Sequence, residues 1–217
     1  AATDGGTVKL LKDITATGVD DTFGEVVGDT TGYLLVPKGI VITLDLNGMN
    51  LHRAIVGYVK EDGYVIRVAG TLTVKNSQNN GMTEPHGQIM GGHNSGNGGG
   101  IYVESGGRLK LQGGNLTSNN ANGDGGAVYL ENGTLFEMTG GYIYSNDTFE
   151  GSGGAIYMAG TASFNMNGGI ITGNKVHKFG ESGGAIYADV NLRISVSGSA
   201  RIYENISKKD ASNNKWD

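Results

Sequence analysis

A 22-residue phrase occurs twice in this chain, as GGAVYLENGTLFEMTGGYIYSN from residue 125 and as GGAIYMAGTASFNMNGGIITGN from residue 153. Related blocks begin at residues 98 and 183, so successive starts lie 27, 28 and 30 residues apart. A period of this length is typical of solenoids and propellers, in which each repeat stacks on the next. The repeat therefore restricts the possible folds more than any other feature.

Each block contains three short segments in which apolar and polar residues alternate, the pattern of half-buried strands. Alignment of the four blocks places apolar residues in the same columns. The three leading columns are Ile101, Val128, Ile156 and Ile186; Leu109, Phe136, Phe164 and Ile194; and Leu116, Ile143, Ile171 and Ile202. If the four blocks stack as equivalent coils, the residues of each column all point into one core.

Three strands in 27 to 30 residues fit one coil of a parallel β-helix, whereas a propeller blade needs four strands and about 40 residues. We therefore predict an all-β fold, a single right-handed parallel β-helix of about six coils with three short strands per coil. One domain is expected, with irregular amino-terminal coils or a cap over 1–58, a transitional coil over 59–97, regular repeats over 98–206 and a polar tail or linker over 207–217.

The composition excludes several classes of protein. Glycine accounts for 40 residues and proline for 2, without a triplet period, which indicates regular tight turns rather than collagen or a proline-rich linker. A net charge of −5 without a basic run argues against nucleic acid as a partner. The absence of cysteine excludes disulfides, and the absence of a long apolar run argues against membrane insertion. We expect a monomeric domain.

The repeat also resembles known surface proteins. The blocks GGAVY and GGAIY, followed by Ile-x-x-Asn ending at Asn146, Asn174 and Asn205, are similar to the GGA(I/L/V) and Phe-x-x-Asn repeats of polymorphic outer-membrane adhesins. They resemble still more the glycine-rich right-handed β-helix repeats in surface proteins of gut Firmicutes, a fold also found in pectate lyases. The resemblance implies a bacterial protein that is extracellular, either secreted or attached to the cell surface.

An asparagine column closes each block where the third strand gives way to a turn. Asparagine tolerates a left-handed backbone and bonds local amides, and stacked side-chain amides can bond along the stack. We therefore interpret Asn119, Asn146, Asn174 and Asn205 as a structural ladder.

A tyrosine column follows the glycine pairs and is the main candidate for ligand binding. Tyr102, Tyr129, Tyr157 and Tyr187 lie between two inward positions, so they are predicted to face outward, with Tyr144 flanking them from the third strand. Flat aromatic faces with a hydroxyl at the edge suit a glycan or a partner protein on a host or cell surface. Self-stacking that stiffens the rod is the alternative.

Acidic residues collect in the loops before the glycine pairs. Asp124, Glu150 and Glu181 are candidate calcium ligands, since calcium takes six to eight oxygen ligands. Solubilising surface charge is the alternative, and no other cofactor is expected.

Catalysis is the rival function that the fold itself suggests. The outward positions of the second strand in the four blocks are Lys110, Glu137, Asn165 and Ser195. Only the first two are charged, and their signs are opposite, which is a poor basis for an active site. A hydrolase would need two carboxyl groups about 5 to 9.5 Å apart, for which the candidates are Asp45, Glu104, Glu131 and Glu137. We therefore expect a non-catalytic surface module, adhesive, carbohydrate-binding or a display stalk, with a polysaccharide lyase or glycoside hydrolase as the alternative.

Overall fold

The computed structural model describes residues 5–16, 32–55, 60–78, 86–190 and 193–208. Within these ranges every regular element is a β-strand, and the strands stack in parallel as a β-solenoid of about five turns. This arrangement confirms the predicted all-β parallel β-helix.

The strands are short and follow the repeat. The amino-terminal part contains β1 (Gly6–Lys9), β2 (Ile14–Thr15), β3 (Leu34–Val36), β4 (Val41–Asp45) and β5 (Leu51–His52). The next two turns contain β6 (Ile66–Val68), β7 (Thr71–Lys75), β8 (Gln88–Met90), β9 (His93–Asn94), β10 (Ile101–Val103), β11 (Arg108–Leu111), β12 (Asn115–Thr117) and β13 (Asn120–Ala121). The last three turns contain β14 (Val128–Leu130), β15 (Leu135–Met138), β16 (Tyr142–Tyr144), β17 (Asp147–Thr148), β18 (Ile156–Met158), β19 (Ser163–Met166), β20 (Ile170–Thr172), β21 (Lys175–Val176), β22 (Ile186–Ala188), β23 (Ile194–Val196), β24 (Arg201–Tyr203) and β25 (Ile206–Ser207).

The strands of the described residues form four parallel sheets that run along the stack. Sheet one contains β3, β6, β10, β14, β18 and β22, and sheet two contains β1, β4, β7, β11, β15, β19 and β23. Sheet three contains β2, β5, β8, β12, β16, β20 and β24, and sheet four contains β9, β13, β17, β21 and β25. Five turns thus contribute a strand to all four sheets.

The fourth sheet is the main difference from the prediction of three strands per coil. Its strands are two residues long, too short for an alternating pattern to be recognised in the sequence. They follow a bend in which the residue before each column asparagine, rather than the asparagine itself, has a left-handed backbone. These residues are Ser118, Ser145, Gly173 and Glu204, with φ of 53°, 53°, 64° and 53°.

In-register pairing places equivalent residues of successive turns over one another. Phe136 pairs with Leu109 on one side and Phe164 on the other, and the two phenylalanine rings lie 4.9 Å apart at their centroids. The predicted apolar columns line one continuous core. In the last turn these inward positions lose cover, and Val196 is 50% exposed.

The two glycines of each pair have different structural roles. Gly125, the first of its pair, has a φ of +71°, which residues with a Cβ rarely adopt. Gly126, the second, lies so close to the next turn that a Cβ would stand 2.3 Å from the carbonyl oxygen of Gly154. The pair therefore permits both the turn and the close stacking of coils.

The asparagine column lies inside the solenoid rather than on its surface. Asn119, Asn146 and Asn174 are fully buried. The Oδ1 atom of Asn146 accepts bonds from the backbone and side-chain nitrogens of Asn119, both at 3.1 Å. The Nδ2 atom of Asn146 donates to the carbonyl of Leu116 at 3.0 Å and to Asn174 Oδ1 at 2.9 Å. The same pattern continues from Asn174 to Asn205.

Replacement of a middle rung should be strongly destabilising. Asn146→Ala removes the acceptor of the buried backbone amide of Asn119 and one donor to the carbonyl of Leu116, so we expect the free energy of unfolding to fall by about 3 kcal/mol or more. Chemical denaturation measures this change. Asn165→Ala, on the exposed face of β19, is the control and should change stability by less than about 0.5 kcal/mol. Equal effects of the two changes would contradict a structural ladder.

Candidate functional site

The four column tyrosines form a continuous row, here called the tyrosine stripe: Tyr102, Tyr129, Tyr157 and Tyr187. Each is the middle residue of a sheet-one strand and pairs with the next in register. The side chains are half-buried, as expected for outward residues between two inward ones. Successive ring centroids lie 5.2, 5.3 and 5.3 Å apart, with interplanar angles of 22°, 10° and 23°.

This geometry is self-stacking, the alternative that the sequence left open. Rings this close and this nearly parallel cover much of one another's faces, so the flat faces are not freely open to solvent. What the stripe presents is its row of ring edges. The hydroxyls of Tyr157 and Tyr187 have no hydrogen-bond partner among the described residues and are not buried, so they are available to a ligand.

Two further tyrosines extend the stripe toward the amino terminus. The centroid of Tyr64 lies 5.6 Å from that of Tyr102, and the centroid of Tyr33 lies 4.7 Å from that of Tyr64. Sequence reasoning missed both because neither occupies the aligned column: the register partner of Tyr102 in the preceding turn is Arg67. Tyr64 lies only three positions before Arg67 in the sequence. This closeness to the column position was the signal that could have revealed it.

Tyr144 does not join the stripe, contrary to the expectation that it flanks it. It belongs to β16 in sheet three, whereas the stripe belongs to sheet one. Its hydroxyl accepts a hydrogen bond from Gln88 Nε2 at 3.2 Å. The third strand follows a separate side of the solenoid, which alternation alone does not reveal.

Polar residues border the stripe on both sides. On one side, two positions after the column, stand Glu104, Glu131 and Asp189. On the other side a second ladder joins successive turns, in which Asp124 N donates to Asn97 Oδ1 and Ser152 N donates to Asp124 Oδ1, both at 2.8 Å. The stripe therefore lies between two rows that carry carboxylates.

These surroundings oppose ionisation of three stripe tyrosines, Tyr102, Tyr129 and Tyr157. Burial raises the pKa of Tyr129, and the carboxylates of Asp124 and Glu131 raise it further. Burial likewise raises the pKa of Tyr157, with added contributions from Asp124 and Asp189. The Tyr102 pKa is raised by burial and by the hydrogen bond that its hydroxyl donates to Glu131. The phenols thus remain neutral donors and acceptors well above neutral pH.

The calcium candidates lie near one another but are paired within the protein. The Glu181 carboxylate accepts a bond from the Ser152 hydroxyl at 2.9 Å. The Lys178 ammonium lies 3.7 Å from both Glu150 and Glu181, and Asp124 accepts the amide of Ser152. Within the part of the chain that the structure describes, no group of three or more His, Cys, Asp or Glu side chains is arranged to hold a metal ion.

Each acid considered for hydrolysis has a partner of its own. Glu137 is 3.1 Å from the Lys110 ammonium. Glu104 pairs with Arg67, and Glu131 accepts the Tyr102 hydroxyl. Asp45 is buried, and its carboxylate accepts hydrogen bonds from the backbone amides of Asn47 in its own turn and Ser77 in the next. All four carboxylates are held by contacts that stabilise the solenoid.

Comparison with protein-family models, with curated proteins and with solved structures finds no match for this chain. Among the described residues no helix is long and apolar enough to cross a membrane.

The raised tyrosine pKa values predict a loss of stability in alkali. Free tyrosine ionises near pH 10, so the unfolded chain releases phenol protons before the folded chain does. The contribution of these tyrosines to the free energy of unfolding is fully present below about pH 10. It is lost as the pH rises above this value, because the unfolded state then binds fewer protons than the folded state. We expect the free energy of unfolding to fall more steeply above this pH in the wild type than in a Tyr129→Phe, Tyr157→Phe double variant. Denaturation at several alkaline pH values, with phenolate absorbance as the probe of ionisation, measures this difference; parallel curves would contradict it.

Proposed function

We propose that this chain is a non-catalytic carbohydrate-binding module of a larger bacterial protein at the cell surface or outside the cell. A linear polysaccharide would lie along the tyrosine stripe, in the direction of the solenoid axis. A protein receptor that uses the same stripe is the alternative partner.

The observation that carries the proposal is the regular spacing of the stripe. Successive rings lie 5.2 to 5.3 Å apart, close to the length of one sugar residue in an extended polysaccharide. Each turn thus offers the edge of one tyrosine ring to each successive sugar. A repeating polymer can match such a row, whereas a compact small ligand would contact only one or two turns.

The groups along the stripe suit hydroxyl-rich ligands. The hydroxyls of Tyr157 and Tyr187 can both donate and accept hydrogen bonds. Asp189, one of the bordering carboxylates, is exposed and accepts strongly from sugar hydroxyls. Because the ring faces are partly covered by stacking, recognition depends on hydroxyl edges and flanking acceptors more than on broad stacking of sugar on an open face.

Two features favour binding without catalysis. The carboxylates that could have served as an acid and base pair are each engaged in a structural contact, such as Glu137 with Lys110 and Glu104 with Arg67. Burial and neighbouring carboxylates raise the pKa of Tyr129 and Tyr157, which makes phenolate bases unfavourable near neutral pH. The extracellular location rests on the resemblance of the repeats to bacterial surface proteins.

Affinity electrophoresis in gels that contain plant, microbial or mucin polysaccharides tests the proposal. Retardation by at least one neutral linear polysaccharide, without release of reducing or unsaturated sugar ends, is the expected result. Release of such ends would instead favour a hydrolase or lyase. Absence of retardation in every gel would overturn the binding function.

A conservative double variant separates binding from stability. Tyr157→Phe, Tyr187→Phe keeps the stacked rings and removes the two available hydroxyls, so we expect the melting temperature to change little and retardation to weaken about tenfold. The matched control is Tyr142→Phe, Tyr203→Phe, which removes two hydroxyls from exposed tyrosines of sheet three. Equal retardation of the two double variants would show that the stripe hydroxyls do not bind the polysaccharide.

A further inference from the structure

A cleft of about 380 Å³ lies at the amino-terminal end of the tyrosine stripe. Its lining residues are contributed by the segment before β6, by β6 itself, by the loop after β9 and by the first stripe tyrosine. They include Asp62, Tyr64, Arg67, Asn94, Asn97 and Tyr102. The volume falls within the usual range of small-molecule sites.

The cleft exists because the repeat changes at this turn. Arg67 occupies the column position that is tyrosine in the next four turns. Tyr64 replaces the missing ring from a different position, and its ring is tilted by 33° from that of Tyr102 at a centroid distance of 5.6 Å. The stack is therefore looser here than elsewhere in the stripe, and the ring of Tyr102 borders an open space.

The walls of the cleft are fixed by hydrogen bonds between two turns. Asn94 is buried, and its Oδ1 accepts the backbone amides of Gly63 at 3.3 Å and Gly96 at 3.2 Å. The backbone amide of Ser95 donates to the carbonyl of Lys60 at 2.9 Å. The two loops thus hold each other in place, and a ligand would not have to order them on binding.

The side chains within the cleft are also positioned. The Tyr64 hydroxyl donates to Asp62 Oδ1 at 2.8 Å. Arg67 Nη1 donates to the hydroxyls of Tyr33 at 3.3 Å and Tyr64 at 3.4 Å, and its Nε donates to Glu104. The guanidinium is thereby oriented, and its charge is balanced by a carboxylate of the next turn.

The remaining polar groups determine the chemical class of ligand. Glu61, Asp62 and Ser95 are exposed at the rim, and Arg67 is a donor on the wall. Groups of both signs beside an aromatic ring suit a ligand with adjacent hydroxyls, each of which can donate to a carboxylate and accept from a guanidinium. An anionic sugar would be repelled by the carboxylates of Glu61 and Asp62, because the only cation among the lining residues, Arg67, is already balanced by Glu104.

We propose that this cleft binds a single neutral sugar residue, with Tyr102 beside the sugar ring and Asp62 and Arg67 bonded to its hydroxyls. The proposal rests on the proposed carbohydrate-binding function and adds to it a terminal subsite with a stated ligand class. A polysaccharide on the stripe would place one of its residues in this cleft.

Titration of the full chain with monosaccharides, followed by amide NMR, tests the cleft separately from the stripe. The probes are neutral hexoses, a pentose and, as the anionic sugar, galacturonate. We expect saturable shifts at residues 95–97 with at least one neutral sugar, and at least about tenfold weaker binding of galacturonate.

Gly96 offers a way to fill the cleft without strain. A Cβ at this position has no neighbouring atom within 4 Å, and its φ is outside the left-handed region. Gly96→Trp should therefore preserve the melting temperature and abolish the shifts. Asn165→Trp, which adds the same bulk on the exposed face of β19, is the matched control and should bind like the wild type.

A second variant tests the assigned hydrogen bond. Asp62 has a left-handed backbone with φ of 54°, a conformation that asparagine tolerates. Asp62→Asn keeps an acceptor for Tyr64 and removes the charge, so we expect about tenfold weaker binding of the neutral sugar with unchanged folding.

The outcomes separate the two proposals. Shifts confined to the stripe around Tyr157 and Tyr187 would overturn the cleft and leave the polysaccharide-binding function standing. Preferential binding of galacturonate, or full binding by the Gly96→Trp variant, would also overturn the cleft assignment. No shift with any neutral sugar would overturn it as well, while retardation by polysaccharides would decide the proposed function independently.

Discussion

In-register parallel pairing between turns is the constraint on which the rest of this structure depends. Each strand bonds to the equivalent strand above and below it, so each inward residue lies over its own counterpart. A polar inward residue is tolerable only when the neighbouring turns satisfy it. Asn146 meets this condition, since it accepts from Asn119 and donates to Asn174. The polar groups of the buried asparagine column are therefore satisfied by hydrogen bonds that also connect successive turns.

The same constraint shapes the surface. Outward residues also lie over their counterparts, which brings the tyrosines of sheet one into a stacked row and places rows of polar residues beside it. Stacking stabilises the row and covers the ring faces. In the proposed function, ligand contacts would then be left to hydroxyl edges such as those of Tyr157 and Tyr187 and to bordering carboxylates such as Asp189.

A regular solenoid presents a uniform surface, and concave sites arise where the repeat is interrupted. Arg67 interrupts the tyrosine column, Tyr64 fills part of the space from another position, and a cleft remains beside Tyr102. The cleft lies where turns with an irregular sequence meet the regular blocks. The stacked turns hold the cleft and the tyrosine stripe in one line. One polysaccharide would therefore be able to contact the stripe along its length and place a sugar in the cleft at one end.

The sequence by itself determined the all-β solenoid, the apolar columns and their register, because a repeat of 27 to 30 residues fixes which residues lie over which once coils stack. It also determined that the column tyrosines point outward. Only the tertiary structure decided that their rings cover one another, that sheet four exists, and that Tyr144 belongs to a different side. It alone brought Tyr64, Arg67 and Asn97 around one cleft. Periodicity encodes the neighbours of regular positions, whereas the loops that line the cleft vary in length, and their contacts depend on the path of the chain between turns.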